Sequence, residues 1–199
     1  IASLLTVSPA SGAEGTPAAA PKALEFPPYQ SVRRIGGELV SADFIHRTGQ
    51  FRTRESGELV DFIMPPYGTI NFLNAEADLR DVPMGTSFTF FLDQNSTRLA
   101  TMRDQFTTDA AEGFSYRLDA VNLADGKVIT TRRCAARQQE DPGPREWQVS
   151  AATRVWKGDA QVRLSDLALG DELLFNVTGR TADRCTDIWI GAESQQLAT

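Results

Sequence analysis

The chain has 199 residues, 41% of them hydrophobic and 23% charged, which fits one large or two small globular domains. Its net charge of -6 argues against a general affinity for nucleic acid, which needs many phosphate-neutralising cations. No stretch reaches the roughly 18 to 20 apolar residues that a membrane-spanning helix requires.

The chain opens on the apolar run Ile1–Val7, followed by small residues with Ser11 and Ala13 at the spacing of a leader-peptide cleavage site. A Pro/Ala-rich stretch over Glu14–Lys22 and Pro27-Pro28 has little to bury and reads as a tether. We therefore expect residues 1–30 to be a signal-peptide remnant and linker, and the protein to be exported to the periplasm or beyond.

Folded structure is expected in two units, a β-barrel module over 31–110 and a second over 111–199. Strands are predicted over Val32–Phe44, Gln50–Arg54, Leu59–Met64, Thr86–Leu92 and Arg98–Phe106. In the second unit they are predicted over Tyr116–Leu123, Lys127–Ala136, Trp147–Ser150, Glu172–Val177 and Thr186–Gly191. Asp125-Gly126 is a two-residue hairpin signal, and no segment carries a long amphipathic helix pattern.

Sliding the chain against itself supports this division. At an offset of 85 residues, Phe62–Leu92 matches Trp147–Val177 without gaps. Identities fall at Ala75/Ala160, Leu79/Leu164, Asp81/Asp166, Gly85/Gly170 and Phe90/Phe175, and seven further positions keep an apolar side chain. The shared core is Leu-x-Asp-(Val/Leu)-x-x-Gly followed by an alternating strand. Asp81 and Asp166 are expected to accept a backbone N–H two or three residues on and start a turn. Gly85 and Gly170 are expected to supply positive φ before the strand. Phe88, Phe90 and Leu92 then share one face, as do Leu173, Phe175 and Val177. Five short strands hiding one apolar face predict an all-β protein of two tandem small five-stranded barrels, OB-like or SH3-like.

These segments resemble a group of exported bacterial proteins, of unassigned activity, that string small β-barrel modules together. The resemblance is carried by Thr153-Arg-Val-Trp-Lys-Gly158, Leu164-Ser-Asp-Leu-Ala-Leu-Gly170 and Leu174-Phe-Asn-Val177, and earlier by Met64-Pro-Pro-Tyr-Gly-Thr69 and Leu79-Arg-Asp-Val-Pro-Met-Gly85. It implies no catalytic residue and no cofactor, and it implies that further sequence follows Thr199.

The chemistry-bearing residues are sparse. His46 is the only histidine, which removes a multi-histidine metal site and weakens a nucleophile–His arrangement. No phosphate-loop, dinucleotide, GxSxG or HExxH motif is present. Asp119, Glu140, Asp141, Asp159, Asp171, Glu172, Asp183 and Asp187 fall at predicted turns or strand ends and read as solvated charge. Cys134 and Cys185, too far apart in sequence for a CxxC motif, can pair and staple the second barrel in an oxidising compartment. The candidate ligand surface joins cations to aromatics, through Arg52, Arg54, Tyr67, Arg132, Arg133 and Trp156. The expectation is a non-enzymatic binding or scaffold protein whose partner is an envelope polysaccharide or a protein. The alternatives are a single-strand nucleic-acid binder of OB type, and accessory modules of a larger enzyme.

Overall fold

The computed structural model describes residues 32–197, so the expected leader and linker over 1–30 lie outside the described residues. The first half contains β1 (Val32–Asp43), β2 (Thr48–Thr53), β3 (Leu59–Ile63), β4 (Thr69–Phe72), β5 (Ala75–Ala77), β6 (Ser87–Asp93) and β7 (Leu99–Asp104), then α1 (Gln105–Glu112). The second contains β8 (Phe114–Asn122), β9 (Lys127–Cys134), β10 (Gln139–Glu140), β11 (Arg145–Gln148), β12 (Arg154–Lys157), β13 (Ala160–Val162), β14 (Glu172–Thr178) and β15 (Arg184–Ile190), ending in α2 (Gly191–Leu197).

The two sheets share one plan. The first runs β3-β2-β1-β6-β7-β4-β5; the second runs β10-β9-β8-β14-β15-β12-β13, with β11 paired to both β9 and β15. In the second half β11 lies antiparallel to β9 and parallel to β15, through Gln148↔Arg184, which closes a five-stranded barrel of β8, β9, β11, β15 and β14. The first half departs from the expected closed barrel. Its β3 approaches β7 only at an isolated bridge, Ile63↔Arg98, just ahead of β7. Beyond that bridge the Met64 N–H turns to the Arg47 carbonyl at 2.7 Å, so no ladder extends along that side.

Alternation fills the interiors. Phe51, Phe62, Phe88, Phe90, Leu92 and Met102 pack in the first half, and Tyr116, Val128, Trp147, Phe175, Val177 and Ile188 in the second. The register recurs across three strands. Phe90 pairs with Met102, which lies beside Ile70; Phe175 pairs with Ile188, which lies beside Val155.

Between its third and fourth barrel strands each half carries a short hairpin, β4–β5 or β12–β13, in addition to the five expected strands. Strands of three or four residues are too short to display a period of two. The first hairpin turns through Leu73 and Asn74, both at positive φ (51° and 62°).

Both corner glycines take positive φ, 87° at Gly85 and 90° at Gly170. The expected aspartate role is redistributed. In the first half the acceptor is Asp78, which takes the Arg80 N–H at 3.1 Å. In the second, Asp166 accepts from the Arg163 N–H at 2.9 Å, three residues back rather than ahead.

The halves are bonded to one another. Gly179 N donates to the Gly85 carbonyl at 2.8 Å, and Ser87 Oγ donates to the Gly179 carbonyl at 2.5 Å. Thr178 Oγ1 also donates to the Gly85 carbonyl. A Cβ on Gly85 would stand 3.1 Å from Thr178 Oγ1, whereas one on Gly170 would meet nothing, so only the first corner is a docking point. Helix α1 spans the seam. Asp104 caps it by accepting the Thr107 N–H at 2.8 Å, and Gly113 ends it at φ 71°. Its Phe106 packs on Trp189 with ring centres 4.4 Å apart, in a small core shared with Leu174.

The proposed disulfide is not formed. Cys134 and Cys185 are both free and buried. Gln148 pairs with Lys127 on one side and Arg184 on the other, so Cys185 lies level with the start of β9, while Cys134 ends that strand. The intervening strand is about 20 Å long, far beyond the roughly 7 Å that a disulfide tolerates between Cα atoms.

Candidate ligand-binding site

A cavity of about 420 Å3 opens where β12 lies beside β15, lined by Leu73, Arg154, Trp156, Gly158, Asp159, Asp187, Trp189 and Ser194. The parallel register builds it. Arg154 pairs with Asp187, Val155 with Ile188 and Trp156 with Trp189. Val155 and Ile188 are fully buried in the barrel core, so the alternate residues of both strands fall together on the opposite face. Arg154-Val-Trp156 and Asp187-Ile-Trp189 are thus two charge–aliphatic–tryptophan triplets laid side by side.

Asp187 organises the floor. Its carboxylate is only 3% exposed and accepts Arg154 Nε at 2.8 Å on one oxygen and Arg154 Nη2 at 2.9 Å on the other. The first oxygen also accepts the Trp156 indole N–H at 3.1 Å. With its one polar group committed, what Trp156 offers the cavity is carbon surface. Arg154 uses two of its five guanidinium N–H groups in this pair, which leaves three for a ligand. The far wall is fixed by Ser194 Oγ, which accepts the Gly158 N–H at 2.6 Å and donates to the Ile190 carbonyl. Leu73 reaches in from the first half's hairpin.

The first half supplies an internal comparison. At the corresponding places on β4 and β7 stand Thr69, Asn71, Thr101 and Arg103, with Thr69 and Thr101 joined hydroxyl to hydroxyl at 2.9 Å. The same strand pairing therefore forms without the Arg–Trp–Asp arrangement, and the fold alone does not demand it.

Of the six residues singled out from sequence, only Trp156 lies in this cavity. Arg132 approaches Asp109 at 3.3 Å and stacks over Phe114 at 3.5 Å. Arg133 is paired with Glu140 at 2.8 Å and Glu172 at 2.9 Å. Tyr67 receives Arg98 Nη2 at 2.8 Å. Arg52 donates to the Gly57 carbonyl, and the Arg54 carbonyl accepts Arg180, at the seam. Of the cations and aromatics singled out from the sequence, Trp156 alone lines the cavity, and the others are engaged with partners outside it. Asp187, read as solvated charge, is instead buried, because its strand is covered by β12 and by the Arg154 side chain. Arg154, Asp187, Trp189 and Ser194 were missed as site residues, and the repeated triplet was the signal that could have found them.

A larger cavity of about 940 Å3 is lined by Ser115, Arg133, Cys134, Glu140, Glu172 and Gln195, among others. Ser115 and Arg133 both donate to Glu172 there, the buried Gln195 Nε2 has no hydrogen-bond partner, and none of the lining side chains is aromatic. It offers no platform on which a ring could stack. At the seam, burial and the facing Arg145 charge lower the Arg54 guanidinium from its usual value, and its Nε has no hydrogen-bond partner. Arg145 itself covers the barrel end over Trp147 at 4.1 Å. Burial pushes the Asp104 and Asp109 carboxyls and the Cys185 thiol above their ordinary values. His46 is an exposed residue bonded to Asp43 at 2.6 Å. Among the described residues no group of three His, Cys, Asp or Glu could hold a metal ion, and no helix is long and apolar enough to cross a membrane.

No family model, no curated protein and no solved structure matches this chain.

Proposed function

We propose that this protein is an exported, non-enzymatic binding or scaffold protein made of two OB-type modules derived from one unit, with an envelope polysaccharide as its partner. The observation that carries the reading is the floor of the Trp156 cavity. Its one buried carboxylate is bonded to Arg154 and Trp156 rather than held free for proton transfer. Such a floor supports a ligand-holding rather than a proton-transferring role. The OB assignment is supported by the strand order, in which the first barrel strand pairs with the second and fourth, and the third runs parallel beside the fifth. Common origin of the halves is supported by the recurring register around Phe90 and Phe175. Export rests on the sequence of residues 1–22.

Equilibrium binding of the purified chain to fractionated bacterial envelope polysaccharide tests this. The expected result is saturable binding with the polysaccharide recovered intact. Shortened chains in the recovered material would overturn the non-enzymatic reading. Binding confined to single-stranded oligonucleotides, and collapsing between 50 and 200 mM salt, would replace it with the nucleic-acid reading.

A further inference from the structure

We infer that the cavity over β12 and β15 is a subsite for one uncharged sugar ring of a glycan, stacked on Trp156 and hydrogen-bonded by Arg154. The inference deepens the binding function proposed above and rests on it.

Three features of the site select this chemistry. The first is a rigid apolar platform. Trp156 is half-buried, its N–H is tied to Asp187, and its neighbour Trp189 is 5% exposed and wedged against Phe106. An indole fixed in this way meets a flat apolar surface with little loss of side-chain freedom. The C–H face of a pyranose ring is such a surface.

The second is a planar fork of donors beside the platform. The bidentate bond to Asp187 sets the plane of the Arg154 guanidinium and leaves N–H groups at the edge of the cavity. Vicinal hydroxyls accept from such a fork, and Asp159, also in the lining, can accept a hydrogen bond from a hydroxyl.

The third is charge. The ionised side chains of the lining are Arg154, Asp159 and Asp187, and Asp187 already cancels Arg154. With no excess positive charge the cavity suits a neutral ring and repels a phosphate-bearing one. This disfavours a nucleic acid, although a base could also stack on Trp156. A volume of about 420 Å3 falls within the range for small-ligand sites and accommodates one or two rings rather than a long segment. The first half, with Asn71 and Thr101 at the matching places, has no such platform.

The test is titration of the purified chain with neutral oligosaccharides of glucose, galactose and N-acetylglucosamine, read by calorimetry and by tryptophan fluorescence. At least one is expected to bind with a change in fluorescence, and binding should persist from 50 to 500 mM salt. Trp156→Ala should weaken it at least tenfold. Arg154→Lys keeps the charge beside Asp187 but loses the fork, and should weaken binding severalfold in a protein that still folds by circular dichroism. Wild-type affinity in both variants would overturn the site while leaving the broader binding reading standing. Failure of every neutral sugar, or binding of oligothymidine instead, would overturn the ligand class. Envelope polysaccharide bound without any contribution from Trp156 would locate the glycan surface elsewhere on the protein.

Discussion

Phe175→Ala is expected to destabilise the protein by about 3 to 5 kcal/mol, and Phe90→Ala by a similar amount. Both rings are completely buried. Phe175 stacks on Trp147 with centres 4.3 Å apart and meets Tyr116 edge-on at 5.3 Å. Phe90 stacks on Phe51 at 4.0 Å and leans on Phe62 at 6.2 Å. Each sits at the centre of its own core, on the strand that follows the corner glycine, and each is paired with an aliphatic residue that lies beside another. Truncation leaves a void walled by aromatic rings held on several strands, which cannot collapse to fill it. Urea unfolding of the two variants checks this. A change below about 1 kcal/mol at either position would mean that the two rings do not play the same part.

Asp109→Ala should be nearly as damaging, at about 3 kcal/mol. This carboxylate is completely buried where α1 meets the second barrel. It accepts Gln105 Nε2 at 2.7 Å, the Tyr116 hydroxyl at 3.0 Å and Arg132 at 3.3 Å. Burial, reinforced by Asp109 itself, pushes the Tyr116 phenol far above its usual range, so it stays a neutral donor. Alanine would leave the Tyr116 hydroxyl proton without its acceptor, with only Arg145 at 3.4 Å still donating to that oxygen, and would leave Arg132 its stacking over Phe114 and a longer ion pair to Asp141 at 3.8 Å. Asp109→Asn keeps an acceptor in place and should lose less. The same urea titration measures both, and an alanine variant within 0.5 kcal/mol of the parent would show that the network contributes nothing to joining the halves.

What the sequence displayed and what it hid follow from physical range. The ten barrel strands were legible because each alternates over five or more residues, or is bounded by turn chemistry, as at Asp125-Gly126 and before Gly85 and Gly170. The inserted hairpins were not, since β5 and β13 are three residues long and leave no periodic trace. The openness of the first barrel turns on how far β3 runs alongside β7, a long-range placement that leaves no local pattern. The disulfide failed for a similar reason. Cys134 and Cys185 lie near the ends of predicted strands, but register puts those ends at different levels of the barrel. Trp156 was visible as an exposed-type aromatic beside a cation. Its true neighbours were not, because a parallel pairing across some thirty residues brings Arg154 against Asp187. The arginines that were adjacent in sequence instead dispersed, Arg132 to Asp109 and Arg133 to Glu140.

The shared strand plan and the differing outer row have separate consequences. Equivalent cores explain why both halves fold to one plan, while Thr69, Asn71, Thr101 and Arg103 show that the plan is indifferent to what occupies the outer row. In the second half that row became a Trp platform with a clamped guanidinium. The seam then holds Leu73 of the first half against it, so the cavity belongs to the joined pair rather than to one barrel.

The chain has three tryptophans, so its indole N–H resonances can be followed individually. Amide and indole shift mapping with a bound neutral oligosaccharide is the most direct measurement of whether the ligand lies on this row. Movement is expected of the Trp156 indole and of the Arg154, Gly158, Asp159 and Leu73 amides, with the Trp147 indole, bonded to Thr130 inside the barrel, unmoved. Shifts gathered on the outer face of β9 and β11, around Thr131 and Glu146, with Trp156 silent, would contradict that placement of the ligand.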